Sequence, residues 1–318
     1  MVYIIAEIGS NHDNNLDQAL NLITIAKNNG ANAVKFQLFK SYEFTRLPIK
    51  DQKNIKKFEL NPNWLKRIIN FSKKINIDII FSVFGEESLR MILPFKLKSI
   101  KIASSEIDNH LLLSKIAKKF DTIILSTGMA NETDIFLAKD ILRGFNCKKI
   151  ILMHCISDYP TKLNSLNLNY FHSIKNFGFD GYGFSDHTMT NISSSLSVTL
   201  GATYIEKHIT INNKLVGPDH FYALEPNQFK KYCSEIRKTI SILGKNKKII
   251  TNLEKAYGRK LGIYSKKNLK KNQILKYNDL LVKAPALGIR DHFIKSVIGN
   301  KLKRSIKKDN PIKFEDLC

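Results

Sequence analysis

The sequence predicts an α/β protein, a (β/α)8 TIM barrel followed by a small domain of β structure. Between residues 3 and 244, eight short apolar segments alternate with eight amphipathic helical patterns. The segments are apolar on both faces, as expected of strands that are buried beneath helices. After residue 258 the pattern changes to short β-like pieces that contain an internal repeat.

The predicted strands cover residues 3–9, 33–38, 78–84, 99–104, 122–128, 148–155, 181–187 and 203–210. The clearest helical patterns cover residues 16–30, 63–76, 131–145 and 227–244, where leucine and isoleucine recur at steps of three and four. An open doubly wound sheet is the alternative fold. It would carry a glycine-rich phosphate turn after the first strand, and the sequence there, GSNHDNN, is not G-x-G-x-x-G.

Three parts of the chain are predicted: a barrel domain at residues 1–244, a polar, lysine-rich linker at 245–258 and a small domain at 259–318. Within the small domain, LKKNQILKYNDL (269–280) matches IKKDNPIKFEDL (306–317) at an offset of 37 residues. Two copies indicate a pseudo-symmetric unit, because a solenoid needs three or more repeats.

The net charge of the 318-residue chain is +23. Residues 245–318 contain 20 basic and 6 acidic residues, a net charge of +14. The lysines fall on solvated helix faces without the interleaved aromatic residues of a nucleic-acid platform. We therefore expect no nucleic-acid partner, and a basic surface that attracts small anionic substrates.

No apolar run reaches the roughly 20 residues that span a bilayer, and the N-terminus has no basic segment typical of a signal peptide. The four cysteines are widely spaced without a C-x-x-C motif, which is typical of free thiols. The sequence thus predicts a cytoplasmic protein with no membrane partner.

Two histidines end neighbouring predicted strands: His187 closes GYGFSDH and His208 closes TYIEKH, with a helical crossover over 191–201. In a parallel sheet such a crossover places both at the same end. Two imidazoles there can hold a divalent metal with open coordination positions. Each histidine alone would more simply be a polar strand end, but the pair, with Asp186 and Asp219 nearby, favours a metal site.

Lys35 and Lys101 lie inside otherwise apolar strands, AVKFQ and SIKIAS. Because burying an ammonium group costs several kcal/mol unless an anion compensates it, we expect an anion pocket for a phosphate or carboxylate. Ion pairs with Glu7 or Glu106 are the structural alternative. A Schiff-base lysine is another, although the metal pair argues against it.

Polar residues at the carboxyl ends of barrel strands are the expected site. These are Glu7, Lys35, Gln37, Ser82, Lys101, Ser104, Glu106, Ser126, Thr127, His154, Tyr159, Ser185, His187, Glu206 and His208. This set indicates metal-assisted carbon–carbon bond formation or hydrolysis on a phosphorylated substrate.

The ordered motifs resemble the sialic acid synthase family nearly from end to end. They are IIAEIGSNH (4–12), AVKFQ (33–37), KIASSEIDN (101–109), LSTGM (125–129), LMHCISDYPT (152–161), GFSDHT (183–188), IEKHIT (205–210) and GPDHFYALEP (217–226). The tail from residue 259 resembles that family's antifreeze-like (SAF, β-clip) domain. The resemblance implies a transferase that condenses phosphoenolpyruvate with an N-acyl mannosamine-type aldose, releasing phosphate by C–O cleavage.

The resemblance also implies a role for each matched residue. His187 and His208 would bind Mn²⁺, with Mg²⁺ or Co²⁺ as substitutes, and Glu7 and Glu106 would be the site carboxylates. The phosphoenolpyruvate positions would be Lys35, Lys101, Ser82, Ser104 and Ser185. The sugar positions would be Gln37, Tyr159 and Asp219. A domain-swapped homodimer is implied as well, in which the small domain of one chain caps the barrel of the other.

Two departures from the family pattern concern the choice of sugar. Ala284 stands where relatives have an arginine that contacts the sugar, which implies either that Arg290 or Lys283 substitutes for it or that the acceptor sugar differs. Ser105 replaces a glycine beside Glu106, which narrows the site. Two alternatives therefore stay open: a phosphoenolpyruvate–aldose enzyme that makes 3-deoxy sugar acid phosphates, and a non-catalytic sugar-binding or polysaccharide-assembly protein.

Overall fold

The computed structural model describes residues 2–44, 49–256 and 260–318. The chain divides into two units, Met1–Gly244 and Lys245–Cys318. The predicted boundary between linker and small domain, at residues 258 and 259, lies outside the described residues. None of the helices in the described ranges has the length and apolar character needed to cross a membrane.

The first unit contains a closed barrel of eight parallel strands in chain order, with β1 hydrogen-bonded to β8. Closure confirms the predicted barrel and excludes the open sheet. The strands are β1 Tyr3–Gly9, β2 Ala33–Leu38, β3 Asp78–Val83, β4 Ser99–Ile102, β5 Thr122–Ser126, β6 Lys149–Cys155, β7 Gly181–Asp186 and β8 Tyr204–His208.

Several strands end earlier than predicted, and the reason is local. β4 ends at Ile102 because Ser104–Glu106 forms a 3-10 turn in which the Glu106 amide bonds the Ala103 carbonyl. β7 ends at Asp186, so His187 is the first residue of the loop, whereas His208 is the last residue of β8. Both histidines nevertheless sit at the carboxyl ends of neighbouring strands, as predicted.

The α-helices lie between and after the strands. They are α1 Leu16–Asn28, α2 Ser41–Phe44, α3 Ile49–Lys56, α4 Leu65–Lys74, α5 Glu86–Ile92, α6 His110–Ala117, α7 Glu132–Gly144, α8 Phe171–Ile174, α9 Ile192–Thr199, α10 Pro226–Leu243, α11 Asn252–Ala256 and α12 Ile294–Val297. Helix α11 falls within the predicted linker.

Helix α1 illustrates how the sequence determines where a helix begins, where it ends and which face it buries. The side chain of Asn15 caps its first turn by accepting a hydrogen bond from the Gln18 amide at 3.1 Å. The helix ends before Gly30, whose φ of +100° favours glycine. Its buried face, which packs on the barrel, consists of Ala19, Leu22, Ile23 and Ala26.

The lower interior of the barrel is apolar. The residues that fill it come from five of the strands and pack against Tyr3 and Tyr204. We call them the apolar floor: Ile5, Ala33, Ile80, Ile124, Ile151 and Met153. This layer closes the barrel from below, so a ligand can enter only from the carboxyl ends of the strands.

The second unit pairs β9, Gly262–Ser265, with β10, Leu280–Lys283, and its internal repeat is structural. Leu269 and Ile306 occupy equivalent places in the two copies, and each donates its amide to the other's carbonyl, at 2.7 and 2.9 Å. Reciprocal bonds of this kind require a pseudo-two-fold axis between the copies. The structure therefore confirms the pseudo-symmetric unit.

Lys283, one of the two suggested substitutes for the family's arginine, has a partner within this unit. Its ammonium group lies 2.9 Å from the Asp309 carboxylate and over the ring of Tyr264.

Candidate active site

One cavity of about 320 Å³ opens among the carboxyl ends of the barrel strands. Its size lies at the lower end of the range for small-molecule sites, about 300–1,000 Å³. Of the polar residues expected at the strand ends, Thr127, His154 and Glu106 do not line it, and neither does Asp219. The others do: Glu7, Lys35, Gln37, Ser82, Lys101, Ser104, Ser126, Tyr159, Ser185, His187, Glu206 and His208.

The strand register explains why residues far apart in sequence meet here. Glu7 pairs with Lys35 on β2 and with His208 on β8, and Ser185 on β7 pairs with Glu206 on β8. Paired positions on neighbouring strands present their side chains to the same face. Closure of the barrel between β1 and β8 therefore brings the first and last strands of the site into contact.

Both buried lysines are ion-paired, and they share one carboxylate. Lys35 Nζ lies 3.1 Å from Glu7 Oε1 and 3.4 Å from Glu206 Oε1. Lys101 Nζ lies 2.8 Å from Glu206 Oε2. The structural alternative to an anion pocket is thus seen in part: Glu7 pairs as considered, but the second carboxylate is Glu206 and not Glu106.

The two carboxyl groups of this cluster differ in acidity. Burial raises the pKa of Glu7 to about 7, against the opposing effect of Lys35. Burial would also raise the pKa of Glu206, but the nearby Lys101 and Lys35 outweigh it and lower this pKa to about 2. The cluster therefore gains a positive charge whenever Glu7 is protonated, and it can accept an anion.

Two buried polar atoms on the cavity wall have no hydrogen-bond partner among the described residues, Glu7 Oε2 and Ser82 Oγ. An unpaired buried polar group costs about 1–3 kcal/mol. Both atoms belong to the wall that also carries Lys35 and Lys101. A polar ligand bound there would supply the missing hydrogen bonds.

The two histidine rings both line the cavity and lie edge to face, with centroids 5.6 Å apart. Nδ1 of His187 lies 2.9 Å from the Ile156 carbonyl, which can only accept, so this nitrogen carries the proton. Tyr222 donates its hydroxyl proton to Asp219 at 2.7 Å, and its oxygen lies 3.4 Å from Nδ1 of His208. Both arrangements leave the Nε2 lone pair free for a metal.

The histidine pair fits a divalent ion, although the fit is partial. Burial lowers the pKa of His208 to about 3, against the effect of Asp219, so its imidazole is neutral and able to bind a metal. In the described residues, no group of three or more His, Cys, Asp or Glu side chains is arranged to hold a metal ion. Two histidines alone would leave the other coordination positions to substrate and water.

The acidic residues expected beside the histidines take different positions. Asp219 stands behind His208, with Oδ2 3.8 Å from Nδ1, and accepts a hydrogen bond from Ser10 Oγ at 3.1 Å. Asp186 points out of the barrel, because side chains alternate along a strand and its neighbours Ser185 and His187 point in. Asp186 is therefore no metal ligand in this structure.

Glu106 also differs from the prediction. The 3-10 turn at Ser104–Glu106 carries its side chain away from the cavity lining. One carboxylate oxygen accepts from Asn109 Nδ2 at 2.8 Å and the other from Ser105 Oγ at 3.2 Å. Burial raises its pKa. Ser105, the residue that replaces a family glycine, lines the cavity and at the same time restrains Glu106.

Some lining residues were not singled out from sequence. His154 was placed on the rim, but its Nε2 bonds the Leu166 carbonyl at 2.7 Å, and the next residue, Cys155, faces the cavity instead. Neighbouring residues on a strand point to opposite faces, so the sequence could have told His154 from Cys155 only if it showed which residues of β6 point inward. The other lining residues are Phe84, Ala103, Met129 and Ser157, all in loops that follow strands.

Comparison with known proteins finds a family and similar chains. Residues 22–248 match the model of the NeuB family. The chain is 36% identical to the N,N'-diacetyllegionaminic acid synthase of Campylobacter jejuni, over 98% of each chain. It is 28% identical to the pseudaminic acid synthase of Helicobacter pylori, over 99% of this chain and 97% of the relative.

A solved structure is similar as well. The N-acetylneuraminic acid synthetase of Leptospira borgpetersenii superposes with a TM-score of 0.76 at 32% identity, covering 80% of this chain and 89% of that one. The family match spans most of the barrel unit, including every residue of the site except those on β1. This chain belongs to the NeuB family.

Proposed function

We propose that this protein is a nonulosonic acid synthase, which condenses phosphoenolpyruvate with an N-acyl mannosamine-type aldose and releases phosphate. The observation that carries the proposal is that a single cavity holds both the lysine cluster and the histidine pair. One half suits an anionic donor and the other suits a polarised carbonyl acceptor. The named relatives are synthases of this kind of product.

Phosphoenolpyruvate would bind at the lysine cluster. Lys35 and Lys101 would contact its phosphate and carboxylate, because ammonium groups in a buried site bind such oxygens strongly. Hydroxyl groups of Ser82, Ser104 and Ser185 line the same wall and would donate the remaining hydrogen bonds. Glu206 would hold the two lysines in place.

The sugar would lie toward the mouth, against Gln37 and Tyr159, with Asp219 behind the histidines. His187 and His208 would hold a divalent ion, which we propose is Mn²⁺, with Mg²⁺ or Co²⁺ able to substitute. A bound ion of this kind supplies Lewis-acid polarisation of the sugar aldehyde. The ring of Tyr159 packs on His187 with centroids 4.3 Å apart and so fixes its position.

Carbon–carbon bond formation leaves positive charge at C2 of the former enol, water adds there, and the tetrahedral intermediate loses phosphate by C–O cleavage. These steps need a group that exchanges a proton near neutral pH. Glu7 is suited to this, because its pKa is raised to about 7 by burial and its Oε2 has no hydrogen-bond partner among the described residues. Gln37 Nε2 orients its other oxygen at 3.1 Å. Glu106 does not line the cavity.

The alternatives are less well supported. An enzyme making 3-deoxy sugar acid phosphates is not favoured, because the relatives covering this chain nearly end to end are named as nonulosonic acid synthases. A non-catalytic role had the replaced arginine at Ala284 as its only support. The retained lysine cluster and histidine pair argue against it.

The test is an assay of the purified chain with phosphoenolpyruvate, Mn²⁺ and a panel of N-acyl sugars that includes N-acetylmannosamine and a 2,4-diacetamido-trideoxy aldose. We expect phosphate release with at least one sugar and a nine-carbon acid by mass spectrometry. His187→Ala and His208→Ala should each lower turnover at least about a hundredfold, because metal polarisation is worth several kcal/mol.

His154→Asn is the matched control, since His154 lies at the same rim but outside the cavity lining. It should retain most of the activity. Full turnover in either cavity-histidine variant would rule out the metal site. Absence of phosphate release with every N-acyl sugar, phosphorylated or not, but release with a phosphorylated aldose that has no N-acyl group, would favour the 3-deoxy sugar acid alternative.

We also propose that the protein is a homodimer in which the small domain of each chain caps the partner's barrel, as the family resemblance implies. Light scattering at assay concentration should give twice the chain mass of 36.4 kDa. A monomer that is fully active at that concentration would contradict this arrangement.

A further inference from the structure

The residues that precede the two cavity histidines form a buried ion pair on the outside of the barrel. Asp186 precedes His187 and Lys207 precedes His208, and the two are paired in the β7–β8 register. Lys207 Nζ lies 3.2 Å from Asp186 Oδ1, and each side chain is about 1% exposed or less. Because side chains alternate along strands, this pair lies directly behind the histidines.

The Asp186 carboxylate holds the backbone that follows His187. Its Oδ1 accepts from the amide of Thr188 at 2.9 Å and from the Thr188 hydroxyl at 2.8 Å. The first of these bonds closes a tight turn with His187 at its centre. Its Oδ2 accepts from Ser194 on α9 at 2.7 Å and from Tyr232 on α10 at 3.3 Å. The turn is therefore anchored to the helices around the barrel.

Lys207 holds the same turn from β8. Besides Asp186, its ammonium group donates to the Thr188 carbonyl. It thus contacts the residues on both sides of His187, while its own chain neighbour is His208. Asp186 and Lys207 are also the last paired positions of the β7–β8 ladder, so His187 lies just past the ladder, where its carbonyl accepts one hydrogen bond from the Thr161 amide at 3.0 Å.

We propose that Asp186 and Lys207 are positioning residues that set the separation of His187 and His208 for a shared divalent ion. The inference rests on the proposed metal site. A buried ion pair adds little net stability compared with apolar residues of the same size, so its main effect here is geometric. Metal affinity is sensitive to such support, because groups that orient metal ligands commonly contribute ten- to a hundredfold.

The experiment measures Mn²⁺ binding by calorimetry, without substrates, in the full-length chain. The variant Asp186→Ala/Lys207→Met leaves no unpaired charge, but it removes the hydrogen bonds that both side chains make to Thr188. We expect its Mn²⁺ Kd to rise about tenfold or more. The Kd for phosphoenolpyruvate should stay within about twofold, because the lysine cluster lies on the other side of the strands.

The matched control is Asp180→Asn/Arg143→Met, which removes an ion pair at the opposite end of β7. It should leave the Mn²⁺ Kd unchanged. Lys207→Met is a milder variant, because the Asp186 carboxylate still accepts hydrogen bonds from Thr188, Ser193 and Ser194 and only the contacts made from β8 are lost. It should fold even if the double variant does not, and it should weaken Mn²⁺ binding several-fold.

The outcomes separate this inference from the proposed function. If the wild-type chain binds Mn²⁺ and His187→Ala abolishes binding, but the Asp186 and Lys207 variants bind normally, the positioning role is wrong and the metal site stands. Equal weakening in the control would show a general effect of destabilisation and overturn the inference. If the wild-type chain binds no Mn²⁺, both fail together.

Discussion

The interior of the barrel has two levels, and the same strands build both. The lower level is the apolar floor, and the upper level carries the ionisable and hydroxyl groups of the candidate site. On five strands the two levels are separated by a step of two residues: Ile5 to Glu7, Ala33 to Lys35, Ile80 to Ser82, Ile124 to Ser126 and Met153 to Cys155. Residues two apart on a strand point to the same face. Each of these strands therefore places an apolar residue in the floor and, two residues later, a residue that lines the cavity.

The two levels should differ in what they contribute to stability. Burial of aliphatic side chains in the floor stabilises the fold by about 0.8 kcal/mol for each methylene group. Burial of charged groups above it carries a desolvation cost that their ion pairs offset only in part. Substitutions at one level should therefore change unfolding without binding, and substitutions at the other should do the reverse.

The largest effect on stability is expected in the floor. Ile124→Ala should lower the free energy of unfolding by about 2–5 kcal/mol, because Ile124 is 1% exposed and its removal leaves a cavity. Urea unfolding followed by the fluorescence of Trp64, which packs against the barrel core, would measure it. Phosphoenolpyruvate affinity should be retained at low urea. A loss of binding without a loss of stability would contradict the division into levels.

The expected change in stability is smaller and opposite in sign for Lys101→Met/Glu206→Gln, which replaces one ion pair with uncharged groups of similar size and leaves Lys35 paired with Glu7. The free energy of unfolding should stay the same or rise by about 1–4 kcal/mol. Phosphoenolpyruvate binding by calorimetry should weaken about ten- to a hundredfold, because a charged hydrogen bond is lost. Destabilisation as large as that of Ile124→Ala would show that this pair is part of the structural core.

The smallest effect concerns the charge of Glu7. Its pKa, raised to about 7 by burial, keeps it mostly protonated at pH 6 and ionised at pH 8. Glu7→Gln should therefore bind phosphoenolpyruvate like the wild-type chain at pH 6 and about three- to tenfold more tightly than it at pH 8. Dividing the Kd of Glu7→Gln by the Kd of the wild-type chain at each pH cancels the effect of ionisation of phosphoenolpyruvate itself. A ratio independent of pH would show that Glu7 does not titrate in this range.

Much of this arrangement could be predicted from the sequence, for definite reasons. Strands apolar on both faces alternate with helices only in a few folds, and Lys35 and Lys101 are conspicuous because charges interrupt apolar runs. His187 and His208 follow from two strands joined by one crossover. Each of these inferences needs only the local pattern of apolar residues and the rule that a helical crossover joins parallel strands of one sheet.

The remaining features depend on the three-dimensional arrangement of the strands and turns, which the pattern of apolar residues in the sequence does not reveal. Glu206 bridges two lysines because closure of the barrel places β8 opposite β2 and β4, and no local pattern indicates that contact. Glu106 leaves the cavity through a 3-10 turn at the end of β4. Asp186 and His154 were expected at the site but point away from the cavity, because a shift of one residue along a strand decides whether a side chain points in or out.

The carboxylate of Glu206 keeps both lysine ammonium groups immobile before a ligand arrives. Those groups lost their water and their rotamer freedom when the chain folded. An entering anion would therefore exchange one set of oxygen atoms for another, without first gathering two mobile side chains. Phosphoenolpyruvate should accordingly meet a binding site that is already ordered. Its selectivity should depend on the distance between the two ammonium groups and not on the flexibility of the lysine side chains.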